Sequence, residues 1–312
     1  MSCNVIRVTG GDGEAARPSP QPRFSAARTR RVLDVVGTRL GINTAEAELV
    51  TQGEIAVYDL RGLWMIARIA QTTDYLSDFT TEVEVARWLE SARFPAARLA
   101  GSAHQPIVEK GRVLTFWAQV AEGKDYGTVT DLAYLLRQLH DLEPPSTLVL
   151  PELRPFKDAQ TRIAMADLRE DEREFMVSRL VDLRDSYARL DFVLPLGPIH
   201  GNASVSSVLP SMWDSSIPVL VDLDSFAFGP REWDLVLTAM YFERFGWHTD
   251  DEYLEFASRY GFDVMRWAGY TVLRNIRELM LLTWLSLNPW NLPEIRAEVS
   301  RRIADLRDGN AD

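Results

Sequence analysis

Ile199-His200-Gly201-Asn202-Ala203-Ser204-Val205-Ser206-Ser207-Val208-Leu209 breaks an otherwise helical half of the chain. Ser207 stands five positions after Asn202, and about 15 residues on the chain reads Val219-Leu220-Val221-Asp222-Leu223-Asp224. Gly229-Pro230-Arg231-Glu232-Trp233-Asp234-Leu235 follows. The runs Val205–Leu209 and Pro218–Leu223 are short and apolar enough for the two strands of a buried hairpin. On that reading a strand ends in the carboxylate of Asp222, and alternation turns Asp224 to the same side. A carboxylate at the end of Pro-Val-Leu-Val is costly to bury unpaired, so a cation or a basic partner is expected beside Asp222.

Working outward, helical spacing returns on both sides. Leu132, Leu135, Leu136 and Leu139 form one stripe, and Met176, Leu180, Leu183, Tyr187 and Leu190 another. Downstream, Trp233–Phe245, Val272–Leu287 and Ile295–Leu306 read as helices. Upstream, a helix over Ala26–Leu40 precedes strands over Glu48–Gln52, Ile55–Leu60 and Trp64–Ala70, the last two joined by a turn at Arg61-Gly62. A helix over Glu82–Glu90 follows, then strands over Pro106–Glu109 and Arg112–Val120 hinged at Lys110-Gly111. Ala121-Glu122-Gly123 breaks the pattern. The expected organisation is a flexible tail over 1–24, an antiparallel-sheet lobe over 25–120 and a mostly helical lobe over 121–312, an α+β class.

Composition narrows the function. The 312 residues suffice for two packed lobes, and 46% hydrophobic with 25% charged residues is ordinary for a globular protein with a core. A formal net charge of −11 repels phosphate backbones and anionic lipid, which argues against nucleic acid or a membrane surface as partner. It suits a cationic or polyhydroxylated small molecule. One cysteine, Cys3, excludes an intrachain disulfide framework and a Cys-rich zinc site. The four histidines, His104, His140, His200 and His248, are too scattered for metal-ligand spacing. No run approaches the roughly 18 apolar residues of a membrane span, and Met1–Pro22 lacks a secretory apolar region. A cytoplasmic location is expected.

Phosphoryl transfer asks a protein to position a hydroxyl, hold magnesium through oxygen ligands and surround the phosphates with cations. The spacing from Asn202 to Ser207 to Asp222 fits that plan. From about residue 45 to 307 the chain resembles the aminoglycoside phosphotransferase and choline kinase-like family, whose fold is bilobal and protein-kinase-like. His200, Gly201, Asp222, Gly229, Pro230 and Asp234 match its motifs. The resemblance implies a small-molecule kinase using ATP and Mg2+, with Asp222 as principal metal ligand, Ser207 and Asp224 as further ligands, and His200 and Asp234 as structural supports of the loop. Gly53, in Gly53-Glu54-Ile55-Ala56-Val57-Tyr58, corresponds to the loop over the phosphates. Arg68 takes the place of the strand lysine, Glu82 on the next helix is its expected partner, and Gln119 and Val120 stand in the linker that receives adenine. Each has a plain alternative: a hairpin turn, an exposed strand arginine, a solvated glutamate, a core strand.

Two positions depart from the family. Asn202 stands where the catalytic aspartate belongs, and Ser207 where a metal-binding asparagine belongs. An amide accepts a hydrogen bond from a hydroxyl but does not take its proton, and general-base help is worth roughly 10² to 10⁴ in rate. Three functions stay open: a slow kinase of an antibiotic-like small molecule, with Asn202 at the position of the base or Asp224 as a substitute; a pseudokinase that binds nucleotide or ligand without catalysis and acts as a regulator or partner subunit; and a kinase of a peptide hydroxyl. The acceptor is expected in the helical lobe. There the acidic run Glu170, Asp171, Glu172, Glu174 either draws a cationic substrate or is a solvated face, and Tyr241, Trp247 and His248 either line the pocket or pack.

Overall fold

The computed structural model describes residues 25–121, 125–287 and 292–307. The expected tail over 1–24 and the Glu122-Gly123 break lie outside the described residues. Contacts divide the chain into two compact units. One runs to Leu150 and takes in Ser204–Phe226; the other holds Pro151–Ala203 and the chain from Ala227 on.

In chain order, the first unit opens with α1 (Ala26–Leu40), β1 (Ala47–Gln52), β2 (Ile55–Leu60), β3 (Met65–Ala70), α2 (Leu76–Ser91), β4 (Ile107–Glu109), β5 (Arg112–Ala118) and α3 (Val129–His140). The second unit begins with α4 (Ala159–Met165), α5 (Glu170–Tyr187) and β6 (Leu196–Ile199). The chain then returns to the first unit for β7 (Val208–Pro210) and β8 (Pro218–Leu220). It finishes in the second with β9 (Ala227–Pro230), α6 (Glu232–Phe245), α7 (Asp250–Tyr260), α8 (Tyr270–Leu285) and α9 (Pro293–Arg307). No helix among the described residues is long and apolar enough to cross a membrane.

The first unit is built on a five-stranded sheet of order β1-β2-β3-β5-β4, each pair antiparallel. In β2 burial alternates, with Ala56, Tyr58 and Leu60 inward, as a half-buried strand demands. Val32, Leu33 and Val36 of α1 join those side chains, together with Ala67, Ile69 and Phe116, in one buried cluster. Each fully buried leucine or valine in it contributes about 1.5–3 kcal/mol. The buried Tyr58 hydroxyl pairs with Thr29 Oγ1 at 2.7 Å, so α1 is fastened to β2 without an orphaned phenol. Lys110 and Gly111 both adopt positive φ, 47° and 72°, as the two-residue turn between β4 and β5 requires.

The break expected at residue 121 is not where the contacts divide the chain. The β7–β8 hairpin is hydrogen-bonded into the sheet unit: Ala97 N–H to Leu220 C=O at 2.8 Å, Leu220 N–H to Pro95 C=O at 2.9 Å, and Gly127 N–H to Val208 C=O at 2.8 Å. Those ladders tie the hairpin and the approach to α3 to the first unit.

In the second unit α8 packs against both α5 and α6, and the short β6–β9 ladder runs from Leu196 opposite Pro230 to Ile199 opposite Ala227. The second unit also contains α4, α7 and the β6–β9 pair, which the sequence pattern does not announce. The strand segments Leu-Gly-Pro-Ile and Ala-Phe-Gly-Pro carry Gly and Pro, which mask a strand. For α7 the cue was present in Thr249 and Glu252, which form a capping box.

Candidate active site

Arg68 sits in mid β3, opposite Val57 of β2 and Thr115 of β5, so two neighbouring strands fix its backbone. Its Nη1 donates to Glu82 Oε1 on α2, in direct ion-pair contact. Its Nη2 faces Asp224 Oδ2 at 3.5 Å. The Phe79 ring covers the guanidinium, 5.6 Å from the ring centre. Glu82 is only 3% exposed, and burial pushes its carboxyl up to about 7 against the opposing pull of Arg68. Burial works against the charge of Arg68 as well, yet Glu82, Asp224 and Asp222 together outweigh it and raise the guanidinium above its ordinary value. Arg68 is therefore a permanent cation amid three carboxylates.

The hairpin brings Ser207 and Asp222 to one end of a short ladder. Val208 pairs with Leu220, and one step further the Val221 N–H donates to the Ser207 carbonyl at 2.9 Å. Ser207 is buried, at the end of a single 3-10 turn over Val205–Ser207. Here the strand expected to run through Leu223 stops at Leu220. Asp222 adopts the left-handed conformation, φ 61° and ψ 54°, and a 3-10 turn over Leu223–Ser225 follows. Strand alternation therefore does not orient Asp224; the turn does, and it aims the carboxylate at Arg68. Aspartate tolerates the left-handed region better than most residues, but such a conformation costs about 1–3 kcal/mol and clusters at functional sites.

Gly53 lies in the two-residue link between β1 and β2, where its carbonyl accepts from Gln71 Nε2 at 3.2 Å. A Cβ added there meets nothing within 4 Å, so the local backbone does not demand glycine. In the linker after β5, the Gln119 N–H donates to the Trp64 carbonyl at 2.9 Å and the Val120 carbonyl accepts from the Met212 N–H at 2.7 Å. Both groups are thus used internally, and the Gln119 side chain is engaged as well, its Nε2 donating to the Ala121 carbonyl at 3.1 Å.

His200, Gly201 and Asn202 belong to the second unit, as does Asp234. Asp234 is fully buried on the first turn of α6; its Oδ2 accepts from the His200 N–H at 2.6 Å and its Oδ1 from the Gly201 N–H at 2.8 Å. The Gly201 carbonyl accepts from Trp233 Nε1 at 2.9 Å and from Arg277 Nη2 at 3.0 Å. Gly201 has φ 82°, a conformation that favours glycine. Arg277, on α8, lies 3.9 Å over the Trp233 ring; burial lowers it to about 10, with Asp234 and then Tyr241 opposing. His200 is fully buried and Asn202, which follows this clamp, is half-buried. Trp233 and Arg277 are supports that sequence reasoning missed. The one available signal was an arginine within the apolar face of a helix.

Two members of the acidic run at the start of α5 are engaged in pairs of their own, while Glu170 and Glu174 are exposed. Glu172 is buried and caps the helix at Arg169 N–H, while Asp171 pairs with Arg307 at 2.8 Å. The Tyr241 ring lies tilted against Trp247 with ring centres 4.7 Å apart, and against His248 at 6.5 Å. Burial raises Tyr241 and lowers His248, the latter against Glu252. Among the described residues no group of three His, Cys, Asp or Glu side chains is arranged to hold a metal. Asp222 and Ser207 nonetheless offer hard oxygen donors of the kind magnesium takes when most of its ligands are phosphate and water.

Solved structures share this fold. An amicoumacin kinase in complex with AMP-PNP, Ca2+ and Ami aligns with a TM-score of 0.66 and 13% identity over 91% of this chain and 95% of its own. A microcompartment-associated aminopropanol kinase aligns with a TM-score of 0.65 and 14% identity over 90% and 94%. The aminoglycoside phosphotransferase APH(3'')-Id from Streptomyces rimosus aligns at 0.58 and 18% over 81% and 97%. The expected α+β, kinase-like architecture is the one observed. The sequence model of the family described as APH, phosphotransferase enzyme family, matches residues 52–270. No curated protein matches the chain in sequence.

Proposed function

Because the chain belongs to the phosphotransferase enzyme family, we propose that it transfers a phosphoryl group from ATP or another nucleoside triphosphate to a hydroxyl of a small, antibiotic-like molecule, and does so slowly. The observation that carries this is the Arg68–Glu82 ion pair on β3 and α2, beside the carboxylates of Asp222 and Asp224. A cation fixed at that depth by a buried partner is suited to grip the phosphates. Asp222 and Ser207 would hold magnesium, with Asp224 as an accessory ligand. Bound there, magnesium would neutralise charge on the transferring phosphates. The loop over Gly53 would cover them, and the Gln119 carbonyl and Val120 N–H would meet the base.

Asn202 would orient the acceptor hydroxyl through its amide oxygen and leave the proton to solvent. Asp234 and His200 would keep that loop in shape, with Arg277 behind them. A typical kinase turnover of about 1–100 per second would then fall by roughly 10² or more, to about 1 per second at most. A cytoplasmic protein acting on a soluble acceptor fits this scheme.

A second reading, a pseudokinase that binds nucleotide and acts through a protein partner, is favoured by Asn202 and Ser207 themselves. Calorimetry with Mg-ATP, and ADP release with a panel of hydroxylated antibiotics, on the wild type and on Asn202→Asp, separates the two. Turnover in the wild type, raised at least tenfold by Asn202→Asp, supports the slow kinase. Binding with turnover only in Asn202→Asp supports the pseudokinase, and no nucleotide binding by either form removes both.

A further inference from the structure

Arg68 is held by two carboxylates of unequal character. Glu82 is 3% exposed, comes from the middle of α2 and touches Nη1 directly. It is a permanent partner. Asp224 is different: its side chain is 35% exposed, it sits on a single 3-10 turn, and its Oδ2 is 3.5 Å from Nη2, longer than a charge-assisted hydrogen bond of about 2.7–2.9 Å. Its other oxygen, Oδ1, accepts from the adjacent Ser225 hydroxyl at 3.1 Å. Such a contact is cheap to exchange. Two residues back along the same turn stands Asp222, whose charge Arg68 also feels.

We propose that Asp224 makes the phosphate site selective for metal-loaded over metal-free polyphosphate, by shielding Arg68 until a divalent cation beside Asp222 draws the Asp224 carboxylate away. The idea rests on the nucleotide reading above. A metal-free triphosphate approaching Arg68 meets the negative charge of Asp224 at the outer guanidinium nitrogen and must either displace it or lie beside it. With magnesium at Asp222, the same carboxylate gains a cation on the turn it already occupies, and Nη2 becomes available to phosphate oxygen. Glu82 is buried on α2 and held at Nη1, so Asp224 is the carboxylate whose movement changes the charge at Nη2.

The test is calorimetric binding of ATP in EDTA and of ATP in magnesium, and of inorganic tripolyphosphate in EDTA, to the wild type, Asp224→Asn and Asp224→Ala, with thermal unfolding as the check on folding. Both variants should bind metal-free ATP and tripolyphosphate about tenfold tighter than the wild type, while their advantage with Mg-ATP disappears or reverses. Equal metal-free affinities in all three proteins, with Mg-ATP binding intact, would overturn the shielding role and leave the nucleotide site standing. No binding of ATP or tripolyphosphate to any form, with or without magnesium, overturns the nucleotide reading and the shielding with it.

Discussion

Asp234→Ala removes a fully buried carboxylate that accepts two backbone hydrogen bonds, at 2.6 and 2.8 Å from His200 and Gly201. Truncation leaves both N–H groups orphaned in a dry site, at about 1–3 kcal/mol each. It also strips Arg277 of the nearby charge that offsets its burial, which adds to the cost. These losses overlap, since the same carboxylate causes both, so the expected destabilisation is about 4 kcal/mol. That is a large share of the roughly 5–15 kcal/mol that holds a domain together. In urea, with a slope of about 3 kcal/mol per molar, the midpoint should drop by more than 1 M (about 1.3 M), read by far-UV circular dichroism and tryptophan fluorescence. Asp234→Asn keeps one acceptor and turns an amide N–H toward the other donor, so it should fall between. Asp171→Ala, on an exposed pair at the start of α5, is the control and should leave the midpoint where it is. A loss below about 1 kcal/mol for Asp234→Ala would show that the loop is shaped by something other than this carboxylate.

Glu82→Gln should change the pH dependence of stability. Burial raises the folded-state carboxyl to about 7 from an ordinary 4.5, so its contribution favours folding fully below about pH 4.5 and is lost as pH climbs to about 7. The wild-type stability relative to the variant should therefore decline across that window in urea titrations, and a flat difference contradicts the assignment. Tyr58→Phe removes the buried hydroxyl pair with Thr29 and should cost about 1 kcal/mol in the same assay. Thr249→Ala removes the side-chain cap of α7 and should likewise cost about 1 kcal/mol, an unchanged midpoint meaning that the helix start is held by other contacts.

The sheet was legible because Ile55–Leu60 and Met65–Ala70 are short apolar runs separated by a break that holds Arg61-Gly62, and α1 because Val32, Leu33 and Val36 repeat at helical spacing. The pairing of Arg68 with Glu82 follows from the order of the elements that carry them. Asp222 was harder. The apolar run Val219-Leu220-Val221 continues past the ladder, which stops at Leu220, and nothing in the composition marks the left-handed residue that follows. A strand was therefore read where a turn stands, and the partner of Asp224 went unseen. Arg277 was illegible for another reason: its contact with Gly201 spans 76 positions and exists only once α8 is packed. The hairpin's membership of the sheet unit has the same origin, since Pro95, Ala97 and Gly127 reach it through tertiary hydrogen bonds.

The central claim is that Asp222 anchors a divalent ion on a triphosphate whose oxygens meet Arg68. A crystal structure with a non-hydrolysable ATP analogue and manganese, located by its anomalous signal, tests it most directly. The expected result is a metal about 2.0–2.2 Å from an Asp222 carboxylate oxygen, with a phosphate oxygen within hydrogen-bond reach of Arg68. Asp222 bonded to a neighbouring side chain, with no anomalous peak beside it at saturating nucleotide, would contradict it.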